Sequence, residues 1–236
     1  MSKYEISACT VQDHEALANN NIKAWWSDQH WTIPWRHRTR EHVIEQVIKR
    51  MPRTLLADRT FKRHQKAVDP ETGRLLGCAR WTLPLSHATN ADGTPAWPEA
   101  LVPAVSPEEE AEINRVAETA IWDPNEESDV LFAPINKIEK ELMGDKPYML
   151  LVLLAVNPED QGKGVATALV ESGIRAAEKL GLDIFILAFK AGLGVYKRLG
   201  FRVLQEYIQD DSMYGGTGDH RVYYMTNEKN RVPTEA

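Results

Sequence analysis

The sequence predicts an α/β (α+β) chain, on three observations. Residues 61–68 and 75–83 are strand-like runs flanking Asp69-Pro70-Glu71-Thr72-Gly73, whose proline and glycine suit a turn. That is a β-hairpin, and hairpins imply antiparallel neighbours. Met149–Val156 is a continuous apolar run of eight residues bounded by Pro147 and Asn157-Pro158, as expected of a central strand buried on both faces. Over Val165–Leu180 apolar residues fall at 165, 169, 170, 174, 177 and 180, a period near 3.6, and Gly181 follows where a left-handed helix stop is favoured.

The remaining elements follow in order. Residues 4–9 predict a short strand, and Thr10 is a suitable N-cap for a helix running toward Trp26. Four of the seven tryptophans come between 25 and 35; a helix over 39–51 then carries Val43, Val47 and Ile48 at helical spacing, with Pro52 expected to end it. Between Pro84 and Pro147 stand fourteen Asp or Glu against four Lys or Arg, net −10. Seven prolines from Pro84 to Pro134 punctuate that stretch, and residues 106–121 are its best helix candidate. It predicts an acidic insertion with little core of its own, inside one domain spanning 1–236. After the amphipathic helix come a strand at 183–189, a short helix at 193–199 stopped by Gly200, and strands at 201–207 and 221–226.

Composition removes several functions. A chain of 236 residues, 43% hydrophobic and 26% charged, is neither disordered nor a rod. Its longest apolar run is far short of the roughly 20 residues of a membrane span, and residues 1–5 show no secretory pattern, so a cytoplasmic protein with no membrane partner is expected. A net charge of −6 gives no basic excess for neutralising phosphates, so no nucleic-acid partner is expected. Cys9 and Cys78 have neither metal-type nor disulfide-framework spacing and predict two buried thiols. The histidines at 14, 30, 37, 42, 64, 87 and 220 show no paired helical spacing, so no metal is expected.

Between the apolar strand and the amphipathic helix lies Gln161-Gly162-Lys163-Gly164-Val165-Ala166. A helix start leaves backbone N–H groups unpaired and concentrates about half a positive charge. Glycines that let an anion approach there build a phosphate site, and Lys163 adds a mobile cation. The segment lacks the lysine followed by serine or threonine of a P-loop and the G-x-G-x-x-G spacing, which disfavours nucleotide hydrolysis and nicotinamide binding. The alternative is that the glycines only make a tight turn.

Some thirty residues later comes Ala191-Gly192-Leu193-Gly194-Val195-Tyr196-Lys197-Arg198-Leu199-Gly200-Phe201. Gln161-x-x-Gly164-x-Ala166 after a strand ending Val156-Asn157-Pro158, followed by a strand and Tyr196-x-x-x-Gly200-Phe201, resembles the GNAT superfamily of acetyl-CoA-dependent N-acetyltransferases. The resemblance covers residues 149–201, and more loosely the hairpin and the tail to Met225. The tryptophan-containing N-terminal region and Asp210-Asp211-Ser212-x-Tyr214-Gly215-Gly216 are also similar to a fungal branch of that superfamily.

The resemblance implies a GNAT-like fold: a mixed, mostly antiparallel sheet in which the strands at 149–156 and 183–189 run parallel and splay apart, flanked by helices. Acetyl-CoA, the implied cosubstrate, would lie in that gap, its pyrophosphate on the backbone of Gln161, Gly162, Lys163, Gly164, Val165 and Ala166, with a hydroxyl from Thr167. Backbone groups of Leu154, Ala155 and Val156 would pair with the pantetheine. Tyr196 corresponds to the tyrosine that protonates the departing thiolate, a proper task for a phenol beside a sulfur gaining charge; its alternative is a packing role. The sequence departs from the family pattern at Phe189 and Gly192, where asparagine and alanine are frequent.

Trp26, His30 and Trp31 fall in a segment that in this architecture borders the acceptor entrance, where an aromatic wall could receive an amine through cation–π contact; otherwise they are core residues. The sequence leaves the general base open among Asp28, His30, Glu206, Asp210, Asp211 and His220. The expected function is acetyl transfer from acetyl-CoA to an amine of a small molecule, by direct attack in a ternary complex, by a monomer or homodimer. A non-catalytic acyl-CoA-binding module and a regulatory interaction protein are the alternatives.

Overall fold

The computed structural model describes residues 3–125 and 127–228. β1 (Glu5–Ala8) leads through a tight turn into α1 (His14–Trp25), where the Thr10 N–H donates to Asp13 Oδ2 at 2.7 Å. A four-residue α2 (Gln29–Thr32) and α3 (Arg40–Leu56) precede the hairpin of β2 (Lys62–Val68) and β3 (Leu75–Thr82). The acidic stretch holds α4 (Pro107–Glu118), capped by Ser106, and α5 (Glu127–Met143). The rest is β4 (Met149–Val156), α6 (Val165–Leu180), β5 (Ile184–Phe189), α7 (Lys190–Arg198), β6 (Arg202–Asp210) and β7 (Asp219–Asn227).

Among the described residues the strands form one sheet in the order β1-β2-β3-β4-β5-β7-β6, antiparallel throughout except for β4 and β5. That parallel pair is joined only at Met149↔Ile184, Leu150↔Phe185 and Leu151↔Ile186, after which the strands part. The mixed, mostly antiparallel sheet with a splayed parallel pair is the expected GNAT-like fold.

β4 parts from its neighbour where it also bulges. Arg80 of β3 faces Leu153 and Trp81 faces Leu151, so Val152 opposes no residue. An extra residue reverses the alternation of faces. Met149 and Leu151 join one cluster before it; Leu154 and Val156 join the same cluster after it. The expectation that this strand is buried on both faces is therefore corrected. Its centre is open, Val152 being 49% exposed, because the divergence from β5 removes the neighbour that would cover it.

One face of the sheet is covered by α6, which lays Leu169, Val170 and Ile174 against Trp81, Met149 and Ile184. On the other face α1 and α3 cover the β2–β4 half with Leu17, Ile22, Val47 and Leu55, and α5 covers the β5–β7 half, Ile135 meeting Phe185, Val222 and Tyr224. Two expectations based on proline fail here. Pro52 lies inside α3, which continues to Leu56 because the last turn buries Leu55 at 1% exposure. Pro134 lies inside α5, a helix not expected from the sequence; fully buried Leu131 and Ile135 anchor it. In both helices tertiary burial offsets one missing hydrogen bond.

Candidate active site

Where β4 and β5 separate, the structure opens a cavity of about 870 Å³. Leu154, Ala155 and Val156 line one wall, and the turn into α6 lines one end with Gln161, Gly162, Gly164, Val165, Ala166 and Thr167. Gly164 is the N-cap of α6 at φ +95° and no side chain caps it; Gly162 has φ +73°. A Cβ on either glycine would meet nothing within 4 Å, so the backbone conformation demands glycine while the space before it stays open. The start of α6 therefore lines the cavity with no side chain capping its first-turn amides, the groups a helix leaves unpaired.

Two predicted contacts are altered. Lys163 does not line the cavity: its Nζ lies 3.0 Å from Asp160 Oδ1, and its carbonyl accepts from Lys3 Nζ at 2.7 Å and from the Tyr4 hydroxyl. Asp160, buried and also held by Arg74 at 2.7 Å, is kept ionised by those cations, which draws the lysine away from the opening. The Ala155 carbonyl already accepts Asn20 Nδ2 at 3.2 Å.

Tyr196, on α7, reaches the cavity and is 6% exposed. Its ring packs edge-on against Phe201 at 5.7 Å and folds back over Gly192, where a Cβ would sit 2.7 Å from Tyr196 Cε2. The glycine that departs from the family pattern is what makes room for the ring. Burial holds the phenol above its ordinary pKa, so it remains a proton donor through the neutral range.

The family model described as acetyltransferase (GNAT) family matches residues 24–201, more than half of the chain. The chain belongs to the GNAT family. Solved structures with the same fold include a Corynebacterium glutamicum protein described as histone acetyltransferase HPA2 and related acetyltransferase, 16% identical with TM-score 0.56 over 94% of this chain and 96% of that one. Arylalkylamine N-acetyltransferase 2 of Aedes aegypti is 14% identical, TM-score 0.58, over 96% and 99%. The polyamine N-acetyltransferase of Drosophila melanogaster is 14% identical, TM-score 0.53, over 95% and 99%. At these identities the likeness is one of fold.

This GNAT chain has a second cavity, of about 490 Å³, between α1, α3 and the opposite face of the sheet. It shares Trp25, Val152, Leu153 and Phe189 with the first, so the two meet at the bulge. Of the predicted acceptor residues only Trp31 lines it; Trp26 packs edge-on against Trp31 at 6.2 Å and lines neither cavity. Trp25, which lines both, was missed. Its signal was legible, because Ala18, Ile22 and Trp25 share one face of α1 by helical spacing.

His30 is displaced from the predicted role by burial: at 1% exposure it stands behind the cavity, Nδ1 2.7 Å from Asp211 Oδ2, its ring edge-on to Phe132 at 4.8 Å. His220 stacks on it at 3.8 Å with planes 7° apart and does line the first cavity. Burial first, and His30 second, lower the His220 pKa against the opposing pull of Asp28 and Asp211, so this imidazole is neutral at neutral pH. Its Nε2 has no partner among the described residues. Of the other residues left open as base, only Asp28 lines the cavity; Glu206 pairs with Arg221 at 2.8 Å and Asp210 caps Ser212.

Ligating atoms of His30, Asp211 and His220 lie within 4.8 Å of one another. Imidazole lone pairs lie in the ring plane, so two parallel rings do not aim at a common point, and Nδ1 of His30 is taken by Asp211. The trio suits proton handling better than ligation. Both cysteines line the second cavity as buried thiols: burial raises Cys9 well above its ordinary pKa and pushes Cys78 up to about 12, its Sγ donating to Asn21 Oδ1 at 2.9 Å. Neither offers a thiolate for a covalent acyl intermediate.

Proposed function

We propose that this GNAT chain transfers an acetyl group from acetyl-CoA to an amine of a small molecule by direct attack in a ternary complex. One observation carries this: the two cavities share Trp25, Val152, Leu153 and Phe189, so donor and acceptor each have a chamber and a common junction. The pyrophosphate would rest on the first-turn amides of α6, with the pantetheine along Leu154, Ala155 and Val156. The Thr167 hydroxyl is at hand in the same wall.

The amine nitrogen, deprotonated, attacks the thioester carbonyl carbon; the C–S bond breaks as the C–N bond forms. Tyr196 gives its proton to the departing sulfur, and neutral His220 receives the amine proton directly or through one water. The His30–Asp211 pair behind His220 fixes the imidazole stack, and Gln209 Nε2 holds Asp211 Oδ1 at 3.0 Å. Amine acetylation in the named insect enzymes supports the acceptor class, and the buried thiols support direct attack over a covalent relay.

The test is acetyl-CoA-dependent thiol release against a panel of amines, beside calorimetry with acetyl-CoA. Turnover with an amine and none without is expected. Tight acetyl-CoA binding with no turnover on any amine would instead select the acyl-CoA-binding module.

A further inference from the structure

The second cavity carries a charge that acetyl transfer does not require. Its charged lining consists of Arg50 from α3 and Arg80 from β3, with no Asp or Glu among the lining residues. Arg50 lies 4.0 Å over the Trp122 ring. Arg80 faces His64 across the hairpin and Leu153 across the other edge of β3, beside the bulge.

Several arginines elsewhere in the chain are compensated. Arg38, Arg74 and Arg221 each hold a carboxylate, and fully buried Arg63 is bonded to the carbonyls of Arg59, Lys62 and Ala96. Arg50 and Arg80 make neither an ion pair nor a side-chain hydrogen bond among the described residues. Burial is the first cause lowering both from their ordinary values, and no carboxylate opposes it. A guanidinium drawn out of water without an anion is unfavourable. His64 sharpens the imbalance. It is 6% exposed, its Nε2 is unpartnered, and burial first and Arg80 second push its pKa down to about 3. It therefore stays neutral and adds a polar group, not a charge.

We infer that the acceptor taken by this cavity carries a carboxylate as well as its amine: an amino-acid-like molecule whose acid is held by Arg80 and Arg50, whose apolar body lies against Trp31 and Trp122, and whose amine reaches the junction at Val152. The inference rests on the proposed transferase and names its substrate class. The volume, about 490 Å³, is of the order of small-ligand sites. Two unneutralised guanidinium groups repel a polyamine, which brings further positive charge. Of the aromatic wall expected from the sequence only Trp31 lines this cavity; Trp122 joins it, and the cation over that ring is the protein's own Arg50.

The experiment uses the full chain with saturating acetyl-CoA and a panel of amino acids, each beside its decarboxylated amine, such as phenylalanine with phenethylamine and tryptophan with tryptamine, plus spermidine. In parallel, calorimetry measures binding of the amino acids and of amine-free carboxylates such as 3-phenylpropionate to the CoA complex. Charge-assisted hydrogen bonds to the acid predict a preference in kcat/KM of about 10- to 100-fold for the best amino acid over its amine. Arg80→Gln should reduce that preference to about threefold or less while the amine changes little, and Arg80→Lys should restore part of it. Equal use of both members of each pair, a preference for spermidine, or equal loss on both in Arg80→Gln overturns the inference and leaves the transferase standing. If no amine is turned over, the transferase fails, and calorimetry still decides: Arg80-dependent carboxylate binding upholds the inference, and its absence overturns it. Should Arg80→Gln not fold by thermal melting, Arg50→Gln is judged by the same criteria.

Discussion

Tyr196 and His220 face the same cavity in opposite protonation states, and burial produces both. A buried phenol is held neutral by a raised pKa, a buried imidazole by a lowered one, so at neutral pH one is a donor and the other an acceptor. Tyr196→Phe keeps the ring over Gly192 and against Phe201 but removes the proton. Its kcat is expected to fall by about 10²- to 10⁴-fold while the acetyl-CoA dissociation constant barely moves. A kcat within about twofold of the wild type would return Tyr196 to packing. For His220 the sign follows from its lowered pKa: the imidazole is active when unprotonated, so kcat/KM declines as pH falls through a value below the ordinary 6.5 of histidine. His220→Gln should lower the rate and abolish that acid limb. A pH–rate profile whose acid limb survives the substitution would assign the base elsewhere, Asp28 being the other of the sequence's candidates that lines the cavity.

At the scale of elements, α6 is packed tightly at its middle and open at its start. Its middle approaches β3 so closely that a Cβ at Gly173 would lie 2.1 Å from Trp81 Cζ2. Trp81 is fully buried and cannot retreat, so Gly173→Ala is expected to destabilise the chain by about 1 to 3 kcal/mol through overpacking, read as a lower Tm. An unchanged Tm would mean that helix and sheet are not in this contact. At its N-terminus the same helix meets open space. Gly164→Val forces a branched side chain into a left-handed conformation, which costs roughly 1–2 kcal/mol or more, and blocks the approach of an anion to the amides. Acetyl-CoA affinity should fall in a variant that still folds; calorimetry showing full affinity would move the pyrophosphate to another place.

In the whole molecule the acidic stretch is a buttress rather than an appendage. α4 lies on α3, and the segment after it bonds back through the Ile121 N–H to Gln46 Oε1 at 2.9 Å and sets Trp122 beneath Arg50. α5 accepts Gln209 Nε2 at its Leu131 carbonyl and presses Phe132 on His30. Its buried residues therefore find their partners on the sheet, not within the stretch itself. We expect residues 84–147, prepared as an isolated peptide, to show no cooperative thermal transition by circular dichroism. A sharp transition would make the stretch a folding unit of its own.

The hairpin, the apolar β4, the amphipathic α6 with its Gly181 stop, and the paired motifs around Gly164 and Tyr196 were all legible in the sequence, because each is written in local periodicity or in residues with a fixed backbone preference. The prolines misled because a helix can absorb one missing hydrogen bond when Leu55, Leu131 or Ile135 is buried by another element. Nor could spacing reveal the bulge at Val152, the stack of His30 on His220, or the solitude of Arg80. Each joins residues far apart in the chain, through register or through the lack of a partner in space. The sequence by itself determined most of the elements and the glycine turn before α6; only the tertiary structure decided which histidine faces the cavity and which charge waits in the other, since burial and pairing exist only once the chain has closed upon itself.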